Sequence, residues 1–435
     1  MNTYLWIGVY FALIAAPLIA LFAGRTPQGG GFWWDFSMAL GFAGMAMMGM
    51  QYVLTARFRN ATAPFGIDII YYFHRYLAVL AFGAVVVHAV VALWRQPGML
   101  AWLDPRAAPW YMTAGTAAFA LFLVIIATSI WRKQIRLEYD LWRITHAILA
   151  TVAFALALLH IEGIGYFIND PIQRTLWTGL TLSWVALIAY VRLIRPWRLM
   201  RAPYRVTEVR REAGRVWTPA IEPRVNRGFS FVPGQFAWLS VNTSPFRMRE
   251  HPFSISSIPA AGGRLEFTIK ELGDFTRTIG STRVGADVYV DGPYGTFTAD
   301  LAAKSSGLVF LAGGVGIAPI VSILRRLAVD GDRRPATLFF CNRIFEHILF
   351  REEFDALASR LNLRVVHVLS EPPLDWSGER GFISREILMR HLPSEFTDFS
   401  YFVCGPDPMI RLAERNLSSL GIPLRKIHSE IFDLV

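Results

Sequence analysis

Over its first 200 positions the chain gathers its apolar residues into six runs, at about 4–22, 36–56, 68–94, 110–131, 140–161 and 175–195. A helix needs roughly 20 apolar residues to cross a hydrocarbon core of about 30 Å, so the pattern predicts six spans. No Lys or Arg precedes the first run and no small-residue cleavage pattern follows it, so it is expected to persist as a span and not as a signal peptide. Beyond Pro196 the pattern changes. Short β-rich runs at Phe236 to Val241, Arg264 to Ile269 and Val288 to Val290 predict a small barrel. From Gly307 apolar strands alternate with helical stretches: Leu308 to Ala312, Ile317 to Leu327, Ala336 to Cys341, Phe350 to Arg360, Leu363 to Leu369, Phe399 to Cys404 and a helix from Pro408. That alternation predicts a parallel doubly wound sheet. The expected fold class is a multidomain membrane protein, with a six-helix transmembrane bundle at 1–200, a β-barrel domain at 201–303 and an α/β doubly wound domain at 304–435.

Composition agrees with this division. Hydrophobic residues make up 54% of the chain and charged ones 17%, against about a quarter charged in a soluble domain. Residues 1–200 hold 14 Lys+Arg and 7 Asp+Glu, and residues 201–435 hold 29 and 26. The net charge of +10 does not point to nucleic acid, because no basic run interleaves with aromatics and +7 of it lies in the apolar half. It points to membrane lipid. With the N-terminus in the cytoplasm, the inner loops and span ends carry Arg57, Arg59, Arg75, Arg132, Lys133, Arg136, Arg143, Arg192, Arg195 and Arg198, and the outer side carries Arg25, Arg95, Arg106 and Arg174. The positive-inside rule then expects a protein of the cytoplasmic (inner) membrane with both termini in the cytoplasm. Cys341 and Cys404 are too few and too far apart for a disulfide framework or a zinc ribbon. The stripe Met45, Met47, Met48 and Met50 is read as packing between spans.

The third run contains His74 and His88 and the fifth contains His146 and His160, each pair 14 residues apart. Fourteen residues return a helix to nearly the same face about 21 Å further on. The two runs point the same way, so His74 is level with His146 and His88 with His160. Ionisable groups at such depth are costly and usually functional. A lone histidine would suit core packing or a proton relay; two matched pairs suit two bis-His haems b, the inner on His74 and His146, the outer on His88 and His160. Arg75 and Arg143 are candidates for the inner propionates, with membrane anchoring as the alternative. Arg95 is a candidate for the outer propionates or a small anionic product.

The first turn of the expected sheet reads Ala312-Gly313-Gly314-Val315-Gly316-Ile317-Ala318-Pro319. Its position after a strand and before a helix suits a pyrophosphate, bound by the helix N-terminus and approached closely by Gly313, Gly314 and Gly316, with Pro319 in the first helical turn. Arg343 follows the second strand, where an arginine pairs with a 2′-phosphate; NADPH is therefore expected, with NADH as the alternative and a solvated surface Arg as the plain reading.

Together these motifs resemble the transmembrane NADPH oxidase and ferric reductase superfamily over almost the whole chain. His251-Pro252-Phe253-Ser254-Ile255-Ser256 is similar to that family's flavin motif, which implies FAD contacts by His251, Pro252, Phe253, Ser254 and Ser256. Gly273-Asp274-Phe275-Thr276 resembles the flavin pyrophosphate turn, which implies roles for Gly273 and Thr276, and Asp291-Gly292-Pro293-Tyr294-Gly295 resembles the turn closing the flavin domain. Cys404-Gly405-Pro406 resembles the nicotinamide-side turn of ferredoxin reductases. Relatives often end on an aromatic that covers the flavin; Phe432 stands nearest that place, with a core role in the last strand as the alternative. The resemblance implies electron flow from NADPH through FAD and two haems to an outer acceptor. The outer loops are short and lack Cys, His or acidic clusters, which favours O2 reduced to superoxide over a ferric chelate. A third reading hands the electrons to a periplasmic redox partner. A fourth, a proton-relaying transporter, is opposed by the flavin and nucleotide motifs.

Overall fold

The structure, a computed structural model, describes residues 3–21, 29–58, 66–225 and 228–431 and divides into two units, Met1–Arg195 and Pro196–Val435. In the first, each expected span falls on a helix: α1 (Thr3–Leu21), α2 (Phe32–Thr55), α3 (Gly66–Arg95), α4 (Trp110–Ile130), α5 (Tyr139–Ile164) and α6 (Pro171–Ala189). Among the described residues five helices are long and apolar enough to cross a membrane, and the apolar stretch of α1, Ile7–Ala20, is shorter. A π-helical turn, Tyr190–Ile194, extends α6, and α7 (Arg195–Met200) follows. Asp170 caps α6 by accepting from the Ile172 amide at 2.9 Å, ahead of Pro171.

The interior of this unit is methionine and aromatic: Met45, Met47, Met48 and Met50 of α2 pack with Phe42, Phe154, Trp177 and Trp184. Its exterior is also apolar. Tyr76, Leu80 and Val90 of α3 and Leu182 of α6 all stand exposed. In water so much exposed apolar surface would aggregate; in lipid it is the expected exterior.

The second unit has two sheets. The first runs β4 (His251–Ser254), β3 (Phe236–Val241), β7 (Asp287–Tyr294), β1 (Tyr204–Arg211), β2 (Val216–Pro223), β5 (Leu265–Glu266), with β6 (Ile269–Lys270) also on β2, and its strands pair antiparallel. A bridge between Ile255 and Phe267, beside a 2.8 Å bond from the Ser256 amide to the Glu266 carbonyl, joins the two ends, so the sheet closes on itself as a barrel. The run expected over Arg264 to Ile269 is split into β5 and β6. Ile255, Phe267 and Leu239 fill the interior.

The second sheet is wholly parallel, in the order β11 (Glu379–Arg380), β10 (Leu363–Leu369), β9 (Ala336–Asn342), β8 (Leu308–Gly313), β12 (Ser400–Gly405), β13 (Ile427–Ile431). After the short α8 (Asp274–Thr278) of the barrel domain, the helices are α9 (Ile317–Asp330), α10 (Arg351–Arg360), α11 (Arg385–His391) and α12 (Asp407–Ser419). Every strand from β8 to β12 except the short β11 is largely buried, as two-sided coverage requires. The chain leaves β8 toward β9 and β10 and later returns to β12 on the other side. The strand order therefore reverses between β8 and β12, and such a switch point opens a crevice at the carboxyl ends of the strands.

Candidate functional site

Four constellations stand in these two units. In the membrane unit, α3 and α5 bring the histidines together in pairs. The rings of His74 and His146 lie 6.4 Å apart between centroids and are inclined at 60°. Two imidazole nitrogens each about 2 Å from one metal put their ring centroids about 6 Å apart, so this spacing fits an iron held between them. The Nδ1 of His74 is buried and has no hydrogen-bond partner among the described residues, whereas that of His146 lies 3.4 Å from Ser129 Oγ.

His88 and His160 line one cavity of about 740 Å³, within the about 300–1,000 Å³ typical of sites for small organic ligands. Each ring is seated by the neighbouring helix. Nδ1 of His88 donates to the Ser37 carbonyl at 2.8 Å and Nδ1 of His160 to the Tyr111 carbonyl at 2.9 Å. Facing a carbonyl, Nδ1 must carry the proton, which leaves Nε2 as the free lone pair, the tautomer a metal needs. Four residues after each carbonyl stands a glycine against the same ring: a Cβ on Gly41 would lie 3.1 Å from His88 Nδ1, and one on Gly115 only 2.5 Å from His160 Nδ1. The hairpins α2–α3 and α4–α5 thus repeat one device, a carbonyl to orient the imidazole and a glycine to admit it. Ser37, Gly41, Tyr111 and Gly115 are absent from the sequence expectations. The only signal for them was the matching four-residue step from Ser37 to Gly41 and from Tyr111 to Gly115.

Of the propionate candidates, Arg95 lines this cavity, where among the described lining residues it is the only one of Lys, Arg, Asp or Glu. Arg75 is exposed on α3 and Arg143 is half-buried on α5. The 3-10 segments Pro97–Leu103 and Tyr166–Ile168 complete the cavity with Met99, Trp102 and Tyr166, and Met45 and Met48 form part of its wall.

In the barrel, alternation along β4 turns His251 and Phe253 to one side. Both stack on Phe275, at centroid distances of 4.0 and 6.0 Å and angles of 17° and 22°. The structure thereby unites the two stretches read as flavin motifs. Ser254 Oγ is buried without a partner among the described residues; such a group calls for a ligand or water, so the residues fit a flavin. Ser256 is already engaged, accepting from Thr268 Oγ1 at 3.1 Å. The Thr276 hydroxyl is engaged too: it takes the Leu272 and Gly273 amides at 2.8 and 2.9 Å. It shapes the turn instead of standing free for a phosphate.

At the switch point the glycines divide by role. A Cβ on Gly316 would lie 2.3 Å from the Cys404 carbonyl oxygen, and Gly313 faces Met409 and Pro406, so these positions are small because the ends of β8 and β12 meet there. Gly314 alone of the turn has φ +52 and nothing within 4 Å of its would-be Cβ, which leaves open space beside the amides entering α9. That space fits a pyrophosphate. Pro319 is buried in the first turn of α9. Cys404 is buried, and burial together with the Glu430 carboxylate pushes its thiol well up; it stays protonated and is unsuited to metal binding. Phe432 lies outside the described residues. Arg343 is exposed and paired with Glu371, Nε to Oε2 2.8 Å.

One linkage had no sequence signal. From the second and third turns of α9, Ser322 Oγ donates to the Ser257 carbonyl at 2.6 Å and Arg325 Nη1 to the Ser256 carbonyl at 2.7 Å, while Arg325 also grips Glu353 at 2.6 and 2.8 Å. The guanidinium is largely buried, so Arg325→Ala strands a carboxylate and a carbonyl. We expect a loss of about 2 kcal/mol and weakened FAD retention, read by thermal denaturation and flavin fluorescence; an unchanged melting curve contradicts this.

Comparison with known proteins matches three family models in chain order: "Ferric reductase like transmembrane component" over residues 40–158, "FAD-binding domain" over 220–298 and "Oxidoreductase NAD-binding domain" over 310–415. The NADH-cytochrome b5 reductase 1 of Laccaria bicolor is 37% identical over 185 residues, 40% of this chain and 58% of that protein. Its counterpart in Meyerozyma guilliermondii is 34% identical over 180 residues, 40% of this chain and 62% of the other. The chain thus spans about three fifths of the length of these relatives. Among solved structures, the ferredoxin reductase in carbazole 1,9a-dioxygenase is 25% identical, covering 53% of this chain and 69% of its own, with a TM-score of 0.47.

Proposed function

Because the chain belongs to the ferric reductase and NADPH oxidase superfamily, with FAD- and NAD-binding domains behind its membrane helices, we propose that it carries electrons from a cytoplasmic nicotinamide nucleotide, NADH or NADPH, across the membrane to O2, giving superoxide outside. The observation that carries the reading is the seating of His88 and His160, tautomer fixed, in one cavity of porphyrin size. When bound, FAD takes a hydride and gives up electrons singly, and two haems pass them on. The protein's own part is placement. α3 and α5 hold two imidazole pairs one above the other, with 14 residues between the levels. His251, Phe253 and Phe275 form an aromatic wall for the flavin. The switch-point crevice, with Gly314 at its mouth, receives the nucleotide.

The mostly apolar, aromatic-walled outer cavity favours a small neutral acceptor over a bulky chelate. Reduction of a ferric chelate is the second reading, and Arg95 is the feature that favours it, as a cation placed to attract an anionic complex. One assay separates them: NADPH oxidation by the purified protein in air, with cytochrome c as reporter and with or without superoxide dismutase, then anaerobically with ferric citrate. A dismutase-sensitive signal supports the oxidase. Fast anaerobic chelate reduction with little superoxide overturns it in favour of the reductase.

A further inference from the structure

The carboxyl ends of β8, β9 and β10 stand side by side, and beyond the ladder two more bonds keep β9 and β10 in register: the Ser370 amide donates to the Asn342 carbonyl at 3.1 Å and the Glu371 amide to the Arg343 carbonyl at 2.8 Å. This brings Glu371 beside Arg343, and the side chains close an ion pair at 2.8 Å. The end of the second strand after the glycine turn is where an adenosine ribose lies in a nucleotide-binding sheet; there a carboxylate accepts from the 2′-hydroxyl of NADH, and an arginine pairs with the 2′-phosphate of NADPH. This chain presents both groups, bonded to one another. Resting on the reading of the crevice as the nicotinamide-nucleotide site, we propose that Glu371 is a specificity-determining residue that turns the site toward NADH, by cancelling Arg343 and by accepting from the ribose 2′-hydroxyl.

The charges give the direction. A 2′-phosphate brings between one and two negative charges at neutral pH, and Glu371 already occupies the guanidinium that would receive it. NADPH must displace a carboxylate that then stays nearby as a like charge. NADH meets no such cost. Both side chains are more than half exposed, so water screens the pair and the effect is moderate, a preference of about fivefold and not an exclusion. Arg343 taken alone predicts the opposite preference, and Glu371 is the difference between the two expectations.

Isothermal titration of the full-length, FAD-loaded protein with NAD⁺ and with NADP⁺ tests this, using wild type, Glu371→Gln and Arg343→Ala. Wild type should bind NAD⁺ at least as tightly as NADP⁺. Glu371→Gln should tighten NADP⁺ about fivefold and weaken NAD⁺, reversing the order. Arg343→Ala should weaken NADP⁺ alone. Both nucleotides binding, with a ratio that Glu371→Gln leaves unmoved, overturns the role of Glu371 and spares the nucleotide site. Binding of neither nucleotide overturns the site itself, and the proposal with it.

Discussion

Replacing His160 with alanine is expected to cut the haem content from two per chain to one, while NADPH still bleaches the flavin and electron delivery to the outer face stops. The same holds for His88→Ala, because on the proposed reading the outer haem would be held by both imidazoles. Gly115→Val should give a milder version by a different route. Its Cβ would stand 2.5 Å from His160 Nδ1, so the ring must leave the Tyr111 carbonyl and Nε2 is misaimed. Gly83→Val is the control, since a Cβ there meets nothing within 4 Å. The pyridine haemochrome of each purified variant counts the haem. If His160→Ala keeps two, the pairing is wrong.

The second large effect belongs to Gly316. An alanine there drives its Cβ to within 2.3 Å of the Cys404 carbonyl oxygen and 2.6 Å of its carbon, both backbone atoms of β12, which is paired on both sides. A strand ordered on both sides cannot shift as a side-chain tip can, so the cost is about 3 kcal/mol, a fall of roughly 10 °C in the melting of a unit this size. Gly314→Ala separates folding from binding. Its added Cβ meets no atom, and its φ of +52 costs about 1 kcal/mol. That variant should fold and lose nucleotide affinity, whereas Gly316→Ala should fail first as a fold. Differential scanning fluorimetry beside nucleotide titration distinguishes the two, and equal melting points would show that β12 yields.

The sequence carries the helices and the strands that lie along it, and it carries the histidines because 14 residues is a property of one helix. The β8-to-β12 alternation is legible for the same reason, with Leu363–Leu369 falling on a strand of the expected bounds. What is not legible is what a residue meets across the fold. Ser37 and His88 are 51 residues apart and Tyr111 and His160 are 49 apart, so no local period links them. Gly313 and Gly316 look like phosphate glycines, yet the structure accounts for their size by strand contact and leaves Gly314 for the ligand. Thr276 reads as a phosphate-binding hydroxyl until its own turn is seen to occupy it. Glu371 is an unremarked surface acid until β10 brings it to Arg343.

Helix α9 begins at the nucleotide turn and, a few residues later, holds the carbonyls of Ser256 and Ser257 at the end of the flavin strand. A single helix thus joins the glycine turn to the strand of the flavin motif, and neither can be cut away without loosening the other. A fragment ending near residue 303 keeps the flavin motifs at 251–256, 273–276 and 291–295 but loses the clamp on the flavin strand. It should therefore shed flavin that the longer chain retains. The two domains that look modular in sequence are, in this respect, one machine part.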